Sequence, residues 1–325
     1  MSTYYQIFGG KVNVVASDPS NPINGQVWYN STSKVVKFSE ASVAGAWSSG
    51  GNMGTTRRDL SGAGTQTAGL GFGGYTTADS NATEEYNGTS WTAGGNLATA
   101  RQKLAGAGLQ TAGLAAGGDI AGGPSNNTEE YDGTSWTTGG NLGTGRSILA
   151  GAGTQTVGLA FGGFVPAGNT PATEEYDGST WTAGGNMGTT RRALAGCGTQ
   201  TAGLGFGGLN TSFVALNATE EYDGTSWTTG GNYGTATSFL AGCGTQTAGL
   251  GFGGETSGGN TATTQEYNGT SWTNGGNLAT ARRQFAGAGT QTAGLAFGGY
   301  STAATNATEE YNGAGFQTTK TVTAT

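Results

Sequence analysis

One repeated unit of the chain reads LSGAGTQTAGLGFGG over residues 60–74, then a variable stretch, then NATEEYNGTSWTAGGNLATAR over residues 81–101. Equivalent units recur along the chain with a period of about 45 residues. Tryptophans mark the same point of each unit, and a phenylalanine follows in phase: Trp47, Trp91, Trp136, Trp181, Trp227, Trp272 and Phe316. Self-similarity at such a period is the signature of a repeat architecture.

Each unit predicts four short strands. The first covers Leu60–Gly64 and the second covers Ala68–Gly73, with a polar turn between them. The third covers Thr83–Tyr86 and is followed by Asn87-Gly88, a strong hairpin signal because both residue types tolerate positive φ. The fourth strand carries Trp91. Four short strands in every unit predict one blade of a β-propeller.

The unit resembles the kelch repeat. The shared marks are an apolar strand ending in Gly-Gly, a Tyr before a turn, a Trp five residues later and an Arg ten residues after the Trp. They cover about residues 47–316. The resemblance implies an all-β, kelch-type β-propeller of four-stranded blades. It fixes no activity, because one fold serves many functions.

The two ends of the chain decide how the ring closes. Residues 26–30, 34–38 and 46–49 predict three successive strands, and Lys320–Thr325 predicts a β-prone tail. Placing the tail among the three N-terminal strands gives a seventh blade built from both termini and removes the exposed sheet edges. The alternative is a six-bladed ring with one terminal strand displaced. Residues 1–22 are predicted to form an N-terminal docking arm and linker, and residues 23–325 the propeller.

Composition argues against several classes of function. The net charge is −7 and the 13 Lys and Arg residues form no basic stripe, so we expect no nucleic-acid binding. The sequence contains neither an apolar run long enough to insert into a membrane nor a recognisable signal peptide, which predicts synthesis in a cytoplasm. It has no His, and Cys197 and Cys243 replace an Ala of other repeats. We therefore expect no disulfide framework, cofactor or metal centre. Calcium binding stays open.

Internal comparison singles out two charged positions. Ten residues after the Trp, the chain has Arg57, Arg101, Arg146, Arg191, Thr237 and Arg282; two residues before the Tyr, it has Glu84, Glu129, Glu174, Glu220, Gln265 and Glu309. The one unit without the Arg also lacks the Glu, so we predict an Arg–Glu pair within each blade. Acid–base catalysis by these carboxylates is the weaker alternative, since catalytic pairs are singular and asymmetric. The repeated tryptophans Trp91, Trp136, Trp181, Trp227 and Trp272 are predicted to be structural.

Variation is concentrated after each Gly-Gly pair, in loops joining the second strand to the third. The most pronounced are residues 164–172 and 209–218. They supply the candidate ligand-binding residues Phe164, Val165, Pro166, Phe213, Val214 and Leu216. A rigid scaffold with one variable rim is typical of loop-borne recognition. The alternative is that the loops drift without selection.

A second resemblance suggests a biological setting. GQVWYNSTSKVVKF, residues 25–38, is similar to a hairpin of bacteriophage tail and fibre proteins, and the regular repeats resemble glycine-rich repeat proteins of marine phages. This implies a non-enzymatic virion structural protein, a tail fibre, tip or head decoration in multiple copies. Its arm would bind other virion proteins, and its loops a host surface glycan or protein. The alternatives are a cellular kelch-type adaptor or lectin-like module, and an enzyme. An enzyme would need one asymmetric cluster near the axis, which we do not expect here.

Overall fold

The computed structural model describes residues 12–19, 26–41, 45–313 and 317–321. The regular elements of this part are strands, and it contains no helix able to cross a membrane. The chain divides into two compact units, one of Ala46–Asn312 and one of Met1–Gly45 with Gly313–Thr325. The boundary predicted at residue 22 falls among residues that are not described, and it stays a prediction.

The unit Ala46–Asn312 contains six four-stranded antiparallel sheets, numbered here along the chain. Sheet 1 has strands Ser61–Gly64, Gly69–Phe72, Thr83–Tyr86 and Trp91–Ala93; sheet 2 has Ala105–Leu109, Ala112–Ala116, Thr128–Tyr131 and Trp136–Thr138; sheet 3 has Ala150–Gly153, Gly158–Phe161, Thr173–Tyr176 and Trp181–Ala183. Sheet 4 has Ala195–Thr199, Ala202–Phe206, Thr219–Tyr222 and Trp227–Thr229; sheet 5 has Ala241–Thr245, Ala248–Phe252, Thr264–Tyr267 and Trp272–Asn274; sheet 6 has Ala286–Thr290, Ala293–Phe297, Thr308–Asn312 and Ala46–Ser49. The all-β, propeller-like prediction is thereby confirmed.

Three of the variable loops form small hairpins of their own. Their paired segments are Asp119–Ile120 with Gly123–Pro124, Phe164–Val165 with Gly168–Asn169, and Glu255–Thr256 with Gly259–Asn260. The sequence does not predict these two-residue strands, because the glycines and polar residues at their turns are equally typical of an irregular loop.

The glycine-rich first strands lie beside one another. The first strand of each sheet packs against that of the next, and that of sheet 6 packs against that of sheet 1. The approach is close: a Cβ atom added to Gly106 would lie 2.7 Å from the carbonyl oxygen of Gly62 in the neighbouring sheet. This explains why the first strands are so rich in Gly, since a larger residue would push neighbouring sheets apart.

Aromatic rings fill the spaces between sheets. A Phe at the end of the second strand packs on the Trp of the following sheet, as with Phe72 and Trp136, whose ring centroids are 4.9 Å apart. The same contact joins every other pair of neighbouring sheets except sheets 2 and 3, where the second strand ends in Ala116 instead of Phe. A small gap lined by Ala116 and Trp181 remains there.

The strand around Trp47 corrects one prediction. The sequence predicts 46–49 as a strand beside 26–30 and 34–38, but Ala46–Ser49 pairs with Thr308–Asn312 and completes sheet 6. The indole N–H of Trp47 donates to Thr264 Oγ1 at 2.9 Å. A Phe side chain has no N–H and could not make this bond. Phe316, the residue in phase at the other end of the chain, lies outside the described residues.

The second unit contains one four-stranded sheet made from both ends of the chain. Its strands are, in order, Asn13–Val15, Val27–Asn30, Val35–Ala41 and Gln317–Thr321. The two ends therefore share a sheet, with the C-terminal strand at its edge, while residues 322–325 of the predicted tail lie outside the described part. Asp18 holds the N-terminal segment to this sheet by accepting hydrogen bonds from Trp28, Asn30 and Lys37. These bonds, that from Lys37 foremost, lower the pKa of Asp18 to about 2.

Candidate functional site

The Arg and Glu residues singled out by the repeats form buried ion pairs within single sheets. Arg57 Nη2 lies 3.0 Å from Glu84 Oε1, and Arg101 Nη2 lies 3.0 Å from Glu129 Oε1. The equivalent pairs are Arg146–Glu174, Arg191–Glu220 and Arg282–Glu309. Arg57 also donates from Nη1 to the carbonyl oxygens of Gly73 at 2.9 Å and Ala82 at 2.6 Å. The pairs thus join the entry of sheets 1, 2, 3, 4 and 6 to the third strand of the same sheet.

Sheet 5 keeps part of this arrangement without charge. Gln265 Oε1 accepts the backbone N–H of Gly234 at 2.7 Å, as Glu84 Oε2 accepts that of Gly54 at 2.6 Å in sheet 1. The Thr237 hydroxyl turns to the carbonyl oxygen of Thr235 at 2.8 Å. Replacing both charges together leaves neither of them buried and unpaired, which explains why the two substitutions occur in the same repeat.

The repeated Trp and Tyr residues connect neighbouring sheets. The indole N–H of Trp136 donates to Thr83 Oγ1 at 2.9 Å, and the Tyr131 hydroxyl donates to Glu85 Oε1 at 2.6 Å. Both bonds recur between each sheet and the preceding one, and both series return from sheet 1 to sheet 6. Burial, reinforced by the Glu85 bond, raises the pKa of Tyr131 to about 12. These residues therefore belong to the frame of the unit rather than to a reactive site.

A third series of bonds surrounds the central axis. Two residues before each first strand, one residue per sheet forms what we call the mouth ring: Asp59, Lys103, Ile148, Ala193, Phe239 and Gln284. Each backbone N–H donates to the carbonyl oxygen of the preceding member at 2.7–3.0 Å, and Asp59 closes the cycle by donating to Gln284. All six residues have left-handed backbones, with φ between 52° and 56°. The ring lines the mouth of an open cavity of about 150 Å³, whose walls also include the three residues that follow each member of the ring.

The side chains of the mouth ring are all different, although the backbone repeats. Gln284, Asp59 and Lys103 are consecutive and form a polar arc; Ile148, Ala193 and Phe239 form an apolar arc. Gln284 Nε2 donates to Asp59 Oδ1 at 2.9 Å. Burial raises the pKa of Asp59, while Lys103 and Arg58 act in the opposite direction. The six side chains are therefore arranged asymmetrically around the axis, a feature that the repeats did not predict. The signal was in the sequence, at the twelfth residue after each Trp.

The variable loops surround the same mouth. The first residue of each loop forms a bridge with the residue just before the mouth ring, as in Arg58 with Tyr75 and Arg192 with Leu209. The loops and the mouth ring thus share one end of the sheets, which we call the loop face. The turns between first and second strands lie at the opposite end. Variation in the loops and variation in the ring fall on one surface.

Arg192 brings the two most pronounced loops together. Its guanidinium lies 5.2 Å from the Phe164 ring centroid and 4.6 Å from that of Phe213, and Nη1 donates to Asn169 Oδ1 at 3.1 Å. Such cation–π contacts hold a planar cation against aromatic faces. Arg58 makes an equivalent link between Tyr75 and Tyr300, at 5.1 and 5.6 Å. The loop face is therefore cross-linked by side chains between neighbouring sheets.

The predicted apolar anchors divide by exposure. Phe213 is 71% exposed and Val214 is 56% exposed, and Pro166 is also exposed. Phe164, Val165 and Leu216 are half-buried. Asn210 Oδ1 accepts the backbone N–H groups of Ser212 and Val214 at 2.9 and 3.0 Å, which fixes the turn that presents Phe213. Phe213 and Val214 are the anchors best placed to contact a partner.

Metal ligands and thiols are the other candidate reactive groups in the described part of the chain. Within it, no three His, Cys, Asp or Glu side chains are grouped as metal ligands would be. Cys197 and Cys243 are buried, and burial raises the pKa of Cys197 to about 12, so this thiol is protonated at neutral pH. In comparisons with known proteins, neither a scan of family models nor a search of curated proteins gave a match.

Proposed function

We propose that Ala46–Asn312 is a closed six-bladed β-propeller whose loop face binds a partner without catalysing a reaction. The three cyclic series of hydrogen bonds support six blades rather than seven. They run through the Trp–Thr pairs, the Tyr–Glu pairs and the mouth ring, and each returns to its starting sheet. A further blade inserted between sheets 6 and 1 would break all three.

One observation carries the binding role. The frame repeats nearly unchanged, whereas the residues that differ between repeats meet at the loop face. Exposed apolar side chains such as Phe213 and Val214 also lie there. Rigid elements beneath variable, partly apolar loops are the usual construction of a recognition surface.

The setting we propose is a bacteriophage particle, as tail fibre, tip or head decoration. The support is the resemblance of residues 25–38 and of the repeats to phage proteins. The N-terminal arm would attach the protein to other virion proteins, and the loop face would contact a glycan or protein of the host surface. Many copies on one particle would turn weak contacts into firm attachment.

The second candidate is a cellular kelch-type adaptor or lectin-like module. The same loop face favours it equally, because recognition by loops does not depend on the setting. Purified particles distinguish the two. Electron cryomicroscopy would locate the propeller on the virion with its loop face outward if the first proposal is correct. Absence of the chain from particles would leave the cellular module, and a loop face turned inward would leave decoration without attachment.

Attachment itself is tested with a matched pair of variants. Phe213 and Leu109 are both exposed apolar residues, but Phe213 lies on the loop face and Leu109 ends a first strand at the opposite end. Fluorescently labelled protein should bind host cells less when it carries Phe213→Ala and equally well when it carries Leu109→Ala. Equal binding by all three proteins would contradict recognition through the loop face.

A further inference from the structure

The mouth ring retains side chains at positions where the backbone disfavours them. Left-handed backbone is unfavourable for residues with a Cβ, by about 1–2 kcal/mol each, and most of all for β-branched ones. Glycine occupies nearly all other left-handed positions among the described residues, yet the ring contains Ile148 with φ 54° and Phe239 with φ 52°. Folding alone would favour glycine or asparagine there. Strain maintained at a cavity points to a function for the side chains.

The two arcs of the ring offer complementary chemistry. Gln284, Asp59 and Lys103 supply an amide, a carboxylate and an ammonium, which together donate and accept hydrogen bonds. Across the cavity, Phe239 and Ile148 supply an apolar wall. A ligand that satisfies both arcs needs hydroxyl groups along one edge and a C–H surface along the other.

Charge at the mouth is balanced. Lys103 Nζ lies 3.2 Å from Asp119 Oδ2, and Arg58 Nε lies 3.7 Å from Asp59 Oδ2. Each cation near the polar arc therefore already has an anion beside it. An uncharged ligand enters without leaving any of these four groups unpaired, whereas a charged one would upset the balance.

Cavity size limits the ligand to a single ring. A volume of about 150 Å³ accommodates one six-membered ring. Because the mouth is open at the end of the axis, the ring can belong to the last residue of a longer molecule projecting outward.

We propose that the mouth ring binds one neutral hexopyranose residue, the terminal sugar of a surface glycan. The hydroxyls of the sugar face Gln284, Asp59 and Lys103, and its C–H face lies on Phe239 and Ile148. This rests on the proposed binding role of the loop face and names the class of its ligand.

The test uses the full-length protein and a panel of neutral methyl hexopyranosides, observed by saturation-transfer NMR and titrated by calorimetry. We expect one or more of the glycosides to bind with a Kd of about 1–10 mM, a range suited to a single sugar. Phe239→Gly and Gln284→Gly each remove one wall while relieving the left-handed backbone. Each should weaken binding about tenfold or more, because an apolar wall or a hydrogen-bonding partner is lost.

Two controls separate the mouth from the rest of the molecule. Leu109→Thr restores the Thr of other repeats at the opposite end and should leave the Kd unchanged. Thermal unfolding of each variant shows whether it is folded. Binding that survives both mouth variants would overturn the proposal, as would binding of short neutral peptides in place of glycosides.

The mouth proposal and the binding role can fail separately. If no glycoside binds but Phe213→Ala still lowers attachment to cells, the sugar site is wrong and the loop face remains the binding surface. If glycosides bind but Phe213→Ala has no effect on attachment, the mouth is a sugar site and the role of the outer loops is wrong. If neither is seen, both fall.

Discussion

In every repeat, the mouth residue is followed directly by one residue of a second layer. The second layer has nearly the same residue in all repeats, whereas the mouth ring has a different residue in each. Each mouth residue is followed by Leu, or once by Phe, and all six of these are buried: Leu60, Leu104, Leu149, Leu194, Leu240 and Phe285. The ring itself holds six different side chains on one repeated backbone. One layer is uniform because packing between sheets demands a particular shape. The other is diverse although its backbone would favour a uniform small residue.

The difference separates folding from recognition along the chain. Side chains that fill the space between sheets cannot vary independently, because each contacts its neighbours in the next repeat. The mouth residues and the layer behind them both line the cavity, but only the mouth residues differ from repeat to repeat, as expected of positions that follow a ligand. Substitutions in the frame should therefore change stability, and substitutions at the mouth should mainly change binding.

The largest effect is expected in the frame. Arg101→Ala and Glu129→Ala should each lower the free energy of unfolding by about 3–5 kcal/mol, because each leaves the partner buried and unpaired. The double variant should lose clearly less than the sum of the two. Denaturant unfolding measures all three, with Thr237→Ala in sheet 5 as the control without an ion pair. Additive losses would show that the two residues do not act as a pair.

The next effect contrasts two consecutive residues. Leu240→Ala should lower the free energy of unfolding by about 2–5 kcal/mol through the cavity it creates. Phe239→Gly should lower it by less than about 1 kcal/mol, because relief of the left-handed backbone offsets the lost apolar contact. The same unfolding experiment applies. Equal losses in the free energy of unfolding would mean that Phe239 is part of the core, as Leu240 is.

A smaller, stabilising effect is expected between sheets 2 and 3. Ala116→Phe supplies the ring that other interfaces carry and should raise the free energy of unfolding by about 1 kcal/mol. The chain already contains such a ring at an equivalent interface. Phe72 packs between sheets 1 and 2 beside Ala115, and the residue of sheet 3 equivalent to Ala115 is also an Ala, Ala160. Thermal unfolding measures the change. A lower melting temperature would mean that the gap is too small and the ring overpacks it.

The smallest effect is a pH dependence at the mouth. Burial raises the pKa of Asp59 in the folded protein above its unfolded value, so ionised Asp59 destabilises the fold at neutral pH. Asp59→Asn should therefore raise the free energy of unfolding at neutral pH by less than about 1 kcal/mol, keeping an acceptor for Gln284. The gain should disappear as the pH falls below about 4, where an unfolded aspartate is also protonated. A variant less stable at neutral pH would show that Lys103 and Arg58 outweigh burial.

Much of the frame could be predicted from the sequence because its residues recur. The third strand, Thr83–Tyr86, has the predicted bounds, and the Arg–Glu pairing follows from the joint loss of Arg and Glu in one repeat. The partner of the Trp47 strand could not be predicted from periodicity, since a strand in phase at both ends of the chain fits either end. In the structure the Trp47 strand belongs to sheet 6, where the indole N–H of Trp47 donates to Thr264 of sheet 5, a contact that the period of the repeat does not reveal.

The mouth was missed for a different reason. Variation between repeats is most conspicuous in the loops, whereas the frame is recognised by the residues that stay constant. Lys103 and Ile148 lie one residue before the constant Leu and look like surface positions. That they surround an axis, with left-handed backbones and a shared cavity, depends on six distant segments meeting in space. The sequence shows that the twelfth residue after each Trp varies, but no local pattern places these six residues around one axis.

One measurement tests the division between frame and mouth most directly. All six mouth residues are replaced together by Gly, which tolerates left-handed backbone and removes the side chains of both arcs at once. Unfolding and binding of the methyl hexopyranosides are then measured on the same preparation. We expect a cooperative unfolding transition close to that of the natural protein and no detectable glycoside binding. A protein that fails to fold, or one that folds and still binds the sugars, would contradict it.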